Sequence, residues 1–279
     1  MDGLVRVARG VWRAPAEVEE FVALCAAVLR ALPPDSVIGG VSAARLHGLW
    51  LPAELPRRIE VIVRRDSALP RMLPGSRRPE VRARRRTLHP GDVGRLDGVP
   101  LTSLARTWCD LAEVLPMADL VAAGDSALRA GGDPDAMRTT LGRAHRRRGV
   151  VKARAVWPLL DGRARSRPES HLRYALLQGG LPPPEVNQPI FSEHGEWLAE
   201  PDLHYARARL ALEYNGAEHA DPGRMRRDIT RDLDYQWDGW RVITFGPAQV
   251  FKRPDQIASL VRSVLRERDP SAFPRRPPR

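Results

Sequence analysis

Glu200-Pro201-Asp202-Leu203-His204-Tyr205 and, after a short basic link, Leu210-Ala211-Leu212-Glu213-Tyr214-Asn215-Gly216-Ala217-Glu218-His219 form the stretch on which the fold turns. Each half sets an acid among apolar and aromatic residues and reads as a strand. Two neighbouring antiparallel strands bring Asp202 and Glu213 side by side at one end of a sheet. Carboxylates forced together repel unless a cation sits between them. Hard oxygens so placed suit Mg²⁺, which keeps several waters and takes the rest of its shell from a phosphate. The competing reading is a pair of solvated strand-end acids, and spacing alone leaves both open.

Around this stretch the pattern is regular. Glu169–Gly180 reads as a helix with Leu172, Ala175, Leu176 and Leu177 inward, stopped by Gly179-Gly180. Strands follow at Val186–Phe191, Trp197–Tyr205 and Leu210–Asn215, then a charged helix at Met225–Trp237. Trp240–Phe245 is a fourth strand and Gln256–Arg266 a last helix. The order is helix, three strands, helix, strand, helix. Trp197, Trp237 and Trp240 are expected in the core, because a small α/β layer needs such bulk. Asp228 and Asp232 share a helix face and are expected to pair with nearby arginines.

Upstream, Asp161-Gly162-Arg163-Ala164-Arg165-Ser166-Arg167-Pro168 lacks apolar periodicity and marks a linker. Helices are expected at 116–130, 134–148 and 151–160, and another opens at Ala105 behind the N-cap Ser103. Near the N-terminus, helical spacing runs from Ala16 to Leu32 and stops at Pro33-Pro34. A short helix capped by Ser42 and a strand at Arg58–Val63 follow. Helix, turn, helix and strand is the outline of a winged helix, a fold that sets one helix in the DNA major groove.

A chain of 279 residues suggests two domains. Its net charge of +11 favours a polyanionic partner, DNA first. Runs such as Arg82-Ala83-Arg84-Arg85-Arg86 and Arg146-Arg147-Arg148 point to local patches. Cys25 and Cys109 sit in apolar helical patterns without a spacing partner and read as buried, reduced thiols. No signal segment and no membrane-length apolar run is present, so a soluble cytoplasmic protein is expected. Phosphate-cradling glycine loops, nucleophile elbows and His-Glu-x-x-His are absent.

Pro201-Asp202-Leu203, Glu213-Tyr214-Asn215-Gly216 with His219, Arg231-Asp232 (or Arg227-Asp228) and Gly239-Trp240-Arg241-Val242 together resemble the PD-(D/E)xK nuclease superfamily. Within it the similarity is to the group (DUF 559) related to the very-short-patch mismatch-repair endonuclease, over about residues 165–267. Val41–Leu51 and Gly98–Leu111 look like the N-terminal region of AbiEi-type antitoxin proteins, which carry a winged-helix DNA reader. The implied architecture is α/β (α+β). A mostly helical, winged-helix-like region spans 1–160 and a linker 161–168. A restriction-endonuclease-like domain with a four-stranded mixed sheet flanked by helices spans 169–267, and a disordered basic tail 268–279.

The resemblance implies that Asp202 and Glu213 hold Mg²⁺ or Mn²⁺ and that Glu169 joins the cluster. For Glu169 the alternative is a first-turn acid favouring the helix dipole. Asn215 stands where the superfamily usually has lysine; it can orient a water but brings no charge. His219 is the implied acid/base group, its ordinary pKa being close to neutral. Arg231 and Arg241 are expected to touch phosphate, with a solvated strand position as the alternative for Arg241. The function implied is a metal-dependent DNA endonuclease targeted by its N-terminal half. The alternative is an inactive DNA-binding regulator of antitoxin type that retains a nuclease fold.

Overall fold

Ile59–Val63 is buried at every position, Glu60 included, because it becomes an inner strand with neighbours on both sides. The computed structural model in which this is seen describes residues 5–8, 11–13, 15–56, 58–63, 81–216 and 239–273. The chain divides into two units between Gly162 and Arg163. Both units mix helices with mixed sheets, an α/β arrangement.

The N-terminal unit opens with the antiparallel pair β1 (Val5–Ala8) and β2 (Val11–Arg13). Then come α1 (Pro15–Arg30), β3 (Val37–Ile38), α2 (Gly40–Leu46), β4 (Ile59–Val63) and β5 (Val81–Arg85). The hairpin β6 (Val93–Leu96) and β7 (Val99–Thr102) follows. Four helices complete it: α3 (Leu104–Leu111), α4 (Met117–Arg129), α5 (Pro134–Arg143) and α6 (Val150–Val156). One five-stranded sheet results, in the order β5-β4-β3-β7-β6. Its β4–β5 and β3–β7 pairs are parallel; β3–β4 and β6–β7 are antiparallel. Cys25, Ile38, Leu46, Ile59, Val61 and Leu101 share the core beneath it. Burial pushes the thiols of Cys25 and Cys109 up to about 12.

These strands depart from the helix–turn–helix expected. Val37-Ile38 is too short to show an alternating period, yet it lies between α1 and α2 and pairs on both sides. The β6–β7 hairpin turns at Asp97-Gly98, both with positive φ, a dipeptide suited to a two-residue hairpin loop. Ser42 is not an N-cap. It lies inside α2, where its hydroxyl donates to the Arg58 carbonyl and accepts from the Glu60 N–H. The first turn is served from outside instead, by Glu60 Oε2 accepting from Val41 N–H at 2.9 Å. A Cβ on Gly40 would lie 2.1 Å from that oxygen, and its φ is +55°, so only glycine fits. Ser103 does cap α3, accepting from Arg106 N–H.

The basic runs are partly neutralised internally. Arg84 and Arg86 both donate to Glu113 Oε2, at 2.6 and 3.0 Å. Arg106 is fully buried and donates to Asp92 Oδ2 (2.8 Å), the Thr87 carbonyl (3.0 Å) and Asp110 Oδ2 (2.9 Å). Arg143 reaches Asp92 Oδ1 and Arg147 reaches Asp110 Oδ1. Burial pushes the Asp110 carboxyl up, against the pull of Arg106 and Arg147.

The C-terminal unit begins with α7 (Arg167–Gln178), packed against α8 (Pro247–Lys252), α9 (Pro254–Arg268) and β12 (Leu210–Tyr214). Its sheet has the order β13-β12-β11-β8, with β13 at Arg241–Phe245, β11 at Leu203–Tyr205 and β8 at Glu185–Val186. β8, β11 and β12 run antiparallel in turn, and β13 is parallel to β12. The two long strands expected before Leu210 are each broken. Pro189 and Pro201 lack the N–H a ladder needs, so β9 (Ile190–Phe191) and β10 (Trp197–Ala199) form a separate antiparallel hairpin. Ile190 and Ala199 pack with Ala211 and Trp240 on one face of the main sheet. Trp240 is core as expected, but Trp197 is not: it is 61% exposed, opposite Phe191 at 53%. The stretch expected as a free linker is tied down, for Ala164 is buried and Ser166 caps α7. The last helix reaches Arg268 and a 3-10 turn covers Pro270–Ala272; the rest of the expected tail lies outside the described residues.

Removing one partner of a buried ion pair strands the other charge. Asp92→Ala is expected to cost about 3–5 kcal/mol in urea unfolding of the full chain. A loss below about 1 kcal/mol would show that Arg106 does not need this partner.

Candidate functional site

Leu203 pairs with Leu212, His204 with Ala211 and Tyr205 with Leu210. Continued one step beyond the paired residues, that register would set Asp202 across from Glu213. Directly opposite residues on antiparallel strands have Cβ atoms about 4.5–5.5 Å apart on one face. Asp202 Oδ2 accepts from Tyr214 N–H at 2.8 Å, which fixes the carboxylate against the Glu213–Tyr214 peptide. Both acids are half-buried, and Glu213 Oε1 is fully so. On the other side, Asn187 N–H donates to the Asp202 carbonyl at 3.0 Å. Glu213 in turn stands beside Thr244 on β13. Asn187, Asp202, Glu213 and Thr244 thus form one row across the end of the sheet.

Asn215 extends that end. Its N–H donates to the Phe245 carbonyl at 3.0 Å, and it lies two residues from Glu213, so both belong to one face. It is exposed. Glu169 is buried in the first turn of α7. Its Oε1 accepts from the Ser166 hydroxyl at 2.8 Å. Its Oε2 accepts from Arg165 N–H at 2.7 Å and Asn187 Nδ2 at 2.8 Å. Asn187 Nδ2 also donates to the Arg163 carbonyl at 3.0 Å.

Arg241 is not brought to this end. It pairs with Leu210, three positions along β13 from Thr244, roughly 10 Å away. Its guanidinium lies 3.9 Å from Glu267 Oε2. His219, Arg231, Asp228, Asp232 and Trp237 lie outside the described residues.

Two residues on the site were missed in the sequence. His204 follows Asp202 by two and shares its face. It is 2% exposed, with Nε2 3.2 Å from Glu185 Oε2 and its ring edge-on to Trp240. The i, i+2 spacing from Asp202 was the available signal. Asn187 has φ +46°, a left-handed conformation that asparagine tolerates better than most residues. Its signal was a turn-forming residue just ahead of Pro189.

Chemically the row offers hard oxygen donors and no thiol, since both cysteines lie in the N-terminal unit. That donor set fits Mg²⁺ or Mn²⁺ rather than a soft ion. Among the described residues no group of three or more His, Cys, Asp or Glu is placed to hold a metal.

No family model matches the chain, and no solved structure matches it significantly. It is 34% identical over 174 residues to uncharacterized proteins of Mycobacterium tuberculosis, strains CDC 1551 / Oshkosh and H37Rv. The match covers 61% of this chain and 64% of each relative, so it spans a little under two thirds of their length. Among the described residues no helix is long and apolar enough to cross a membrane.

Burial pulls the His204 imidazole below its ordinary range, and Glu185 pulls it back only in part. The unfolded chain, with a histidine near 6.5, then takes up the proton first. His204 accordingly contributes stability that is fully present above about pH 6.5 and is lost as pH falls through its lower folded value. The thermal midpoint of the wild type is expected to drop more steeply between pH 7 and 5 than that of His204→Gln. Parallel profiles would remove His204 from the pH response.

Proposed function

We propose that the C-terminal unit is a metal-dependent DNA endonuclease that hydrolyses phosphodiester bonds. The observation that supports this reading is the β11–β12 register, which brings Asp202 and Glu213 to the same end of the sheet. The resemblance to the PD-(D/E)xK superfamily agrees with it. So does the sheet, with three antiparallel strands in sequence and a fourth added in parallel.

Asp202 and Glu213 would hold the ion. When bound, such an ion polarises the scissile phosphate, lowers the pKa of a bound water and offsets charge on the leaving oxygen. The protein's own part is positional. Tyr214 N–H and Asn187 N–H fix Asp202 from two sides, and Asn215 offers an amide to orient water at the exposed edge. His219 and Arg231 remain proposals for proton transfer and phosphate contact. Arg241 has its ion partner in Glu267 and is left out.

The N-terminal unit is proposed to choose the DNA. What supports this is the chain's charge, with exposed Arg82 and Arg85 on the sheet's edge strand. A winged helix is not the support, because the five-stranded sheet separates α1 from α2 with a paired strand. Asn215 in the lysine position favours the second reading, an inactive DNA-binding regulator of antitoxin type.

Full-length protein incubated with supercoiled plasmid and Mg²⁺ or Mn²⁺ distinguishes these. The endonuclease reading expects nicking that EDTA abolishes and that Asp202→Ala or Glu213→Ala lowers by about 100-fold or more. Tight, salt-sensitive duplex binding without nicking would establish the regulator instead. Equal nicking by the wild type and Asp202→Ala overturns the site.

A further inference from the structure

We infer that Asn187 is a positioning residue for Asp202, and that Glu169 acts as its anchor rather than as a third acid of the cation site. The inference rests on the reading of Asp202 and Glu213 as the working carboxylates, and it deepens that reading.

The hydrogen bonds form one continuous chain. Ser166 caps α7 through Glu169 N–H, and its hydroxyl returns a bond to Glu169 Oε1, so the carboxylate is locked to the helix start. The other carboxylate oxygen receives Arg165 N–H and Asn187 Nδ2. Asn187 spends its second amide hydrogen on the Arg163 carbonyl. Both donors of one buried amide are thereby committed to atoms of residues 163–169, in front of and inside the first turn of α7. The backbone N–H of the same residue holds the Asp202 carbonyl.

This clamp sits where support is otherwise weakest. Pro189 and Pro201 interrupt the pairing beyond Asn187 and Asp202, so the ladder from β8 and β11 ends at this pair. The tie to α7 adds to the hold that Tyr214 N–H has on Asp202. With it, the carboxylate is referred to a helix whose Leu172 and Leu176 are buried. Such outer partners typically change the affinity of a cation site by about 10–100-fold.

The test uses the full chain and two variants acting at opposite ends of the clamp. Asn187→Gly keeps the left-handed backbone and the N–H to Asp202 but deletes both side-chain donors. Glu169→Gln puts an amide where two donors converge. Tyr214 N–H is the local reporter, since Asp202 Oδ2 holds it. Hydrogen exchange at Tyr214 is expected to rise by about tenfold in both variants, with the thermal midpoint near that of the wild type. Unchanged exchange at Tyr214 in whichever variant folds overturns the inference. Mn²⁺ titration separates the two claims. Binding by the wild type that weakens by about tenfold or more in the variants supports both. Faster exchange without any Mn²⁺ binding by the wild type leaves the clamp standing and removes the nuclease reading.

Discussion

The pairing of Leu203 with Leu212 governs the C-terminal unit. Each of these leucines is buried completely, and a slip of one residue would put His204 or Ala211 in its place. Burial therefore fixes the register, and the register decides which acids become neighbours. Asp202 and Glu213 meet as a by-product of leucine packing.

Much of this was legible before any coordinates. Leu210–Tyr214 and Arg241–Phe245 announce themselves as strands, and their acids and flanking glycine fall where the sheet ends. The breaks were less visible, although their cause was printed in the chain. Trp197–Tyr205 carries enough strand formers to hide Pro201, yet a missing donor outweighs propensity in the middle of a sheet. The exposure of Trp197 follows, because the hairpin it belongs to has an outer face that nothing in its own sequence identifies. For Asn187 the pattern offered no more than a turn-forming residue ahead of Pro189. Its importance comes from two donors meeting two acceptors that are 18 and 24 residues away in sequence.

The N-terminal unit teaches the complementary lesson. Apart from β4, which its own pattern announces, its strands include ones that are very short or rich in arginine and carry little period of their own. β3 has two residues, and β5 reads Val-Arg-Ala-Arg-Arg. Tertiary pairing makes strands of both, since Ile38 and Val61 need a common core. The same packing turns charge inward. Arg84, Arg86 and Arg147 belong to the runs read as patches for a polyanion, and each has a carboxylate within 3.1 Å, as does the buried Arg106. Among the described residues these pairs occupy four arginines without altering the net charge.

The two cysteines have a practical corollary. Both thiols are buried in the N-terminal unit and held near 12, so at neutral pH neither offers an appreciable thiolate to an alkylating reagent. Slow reaction with maleimides is expected of the native chain without its being stripped of sulfur. A single cysteine introduced on the hairpin between Ile190 and Ala199 would be a unique handle for a spin label or fluorophore, reading the C-terminal unit against an unlabelled background.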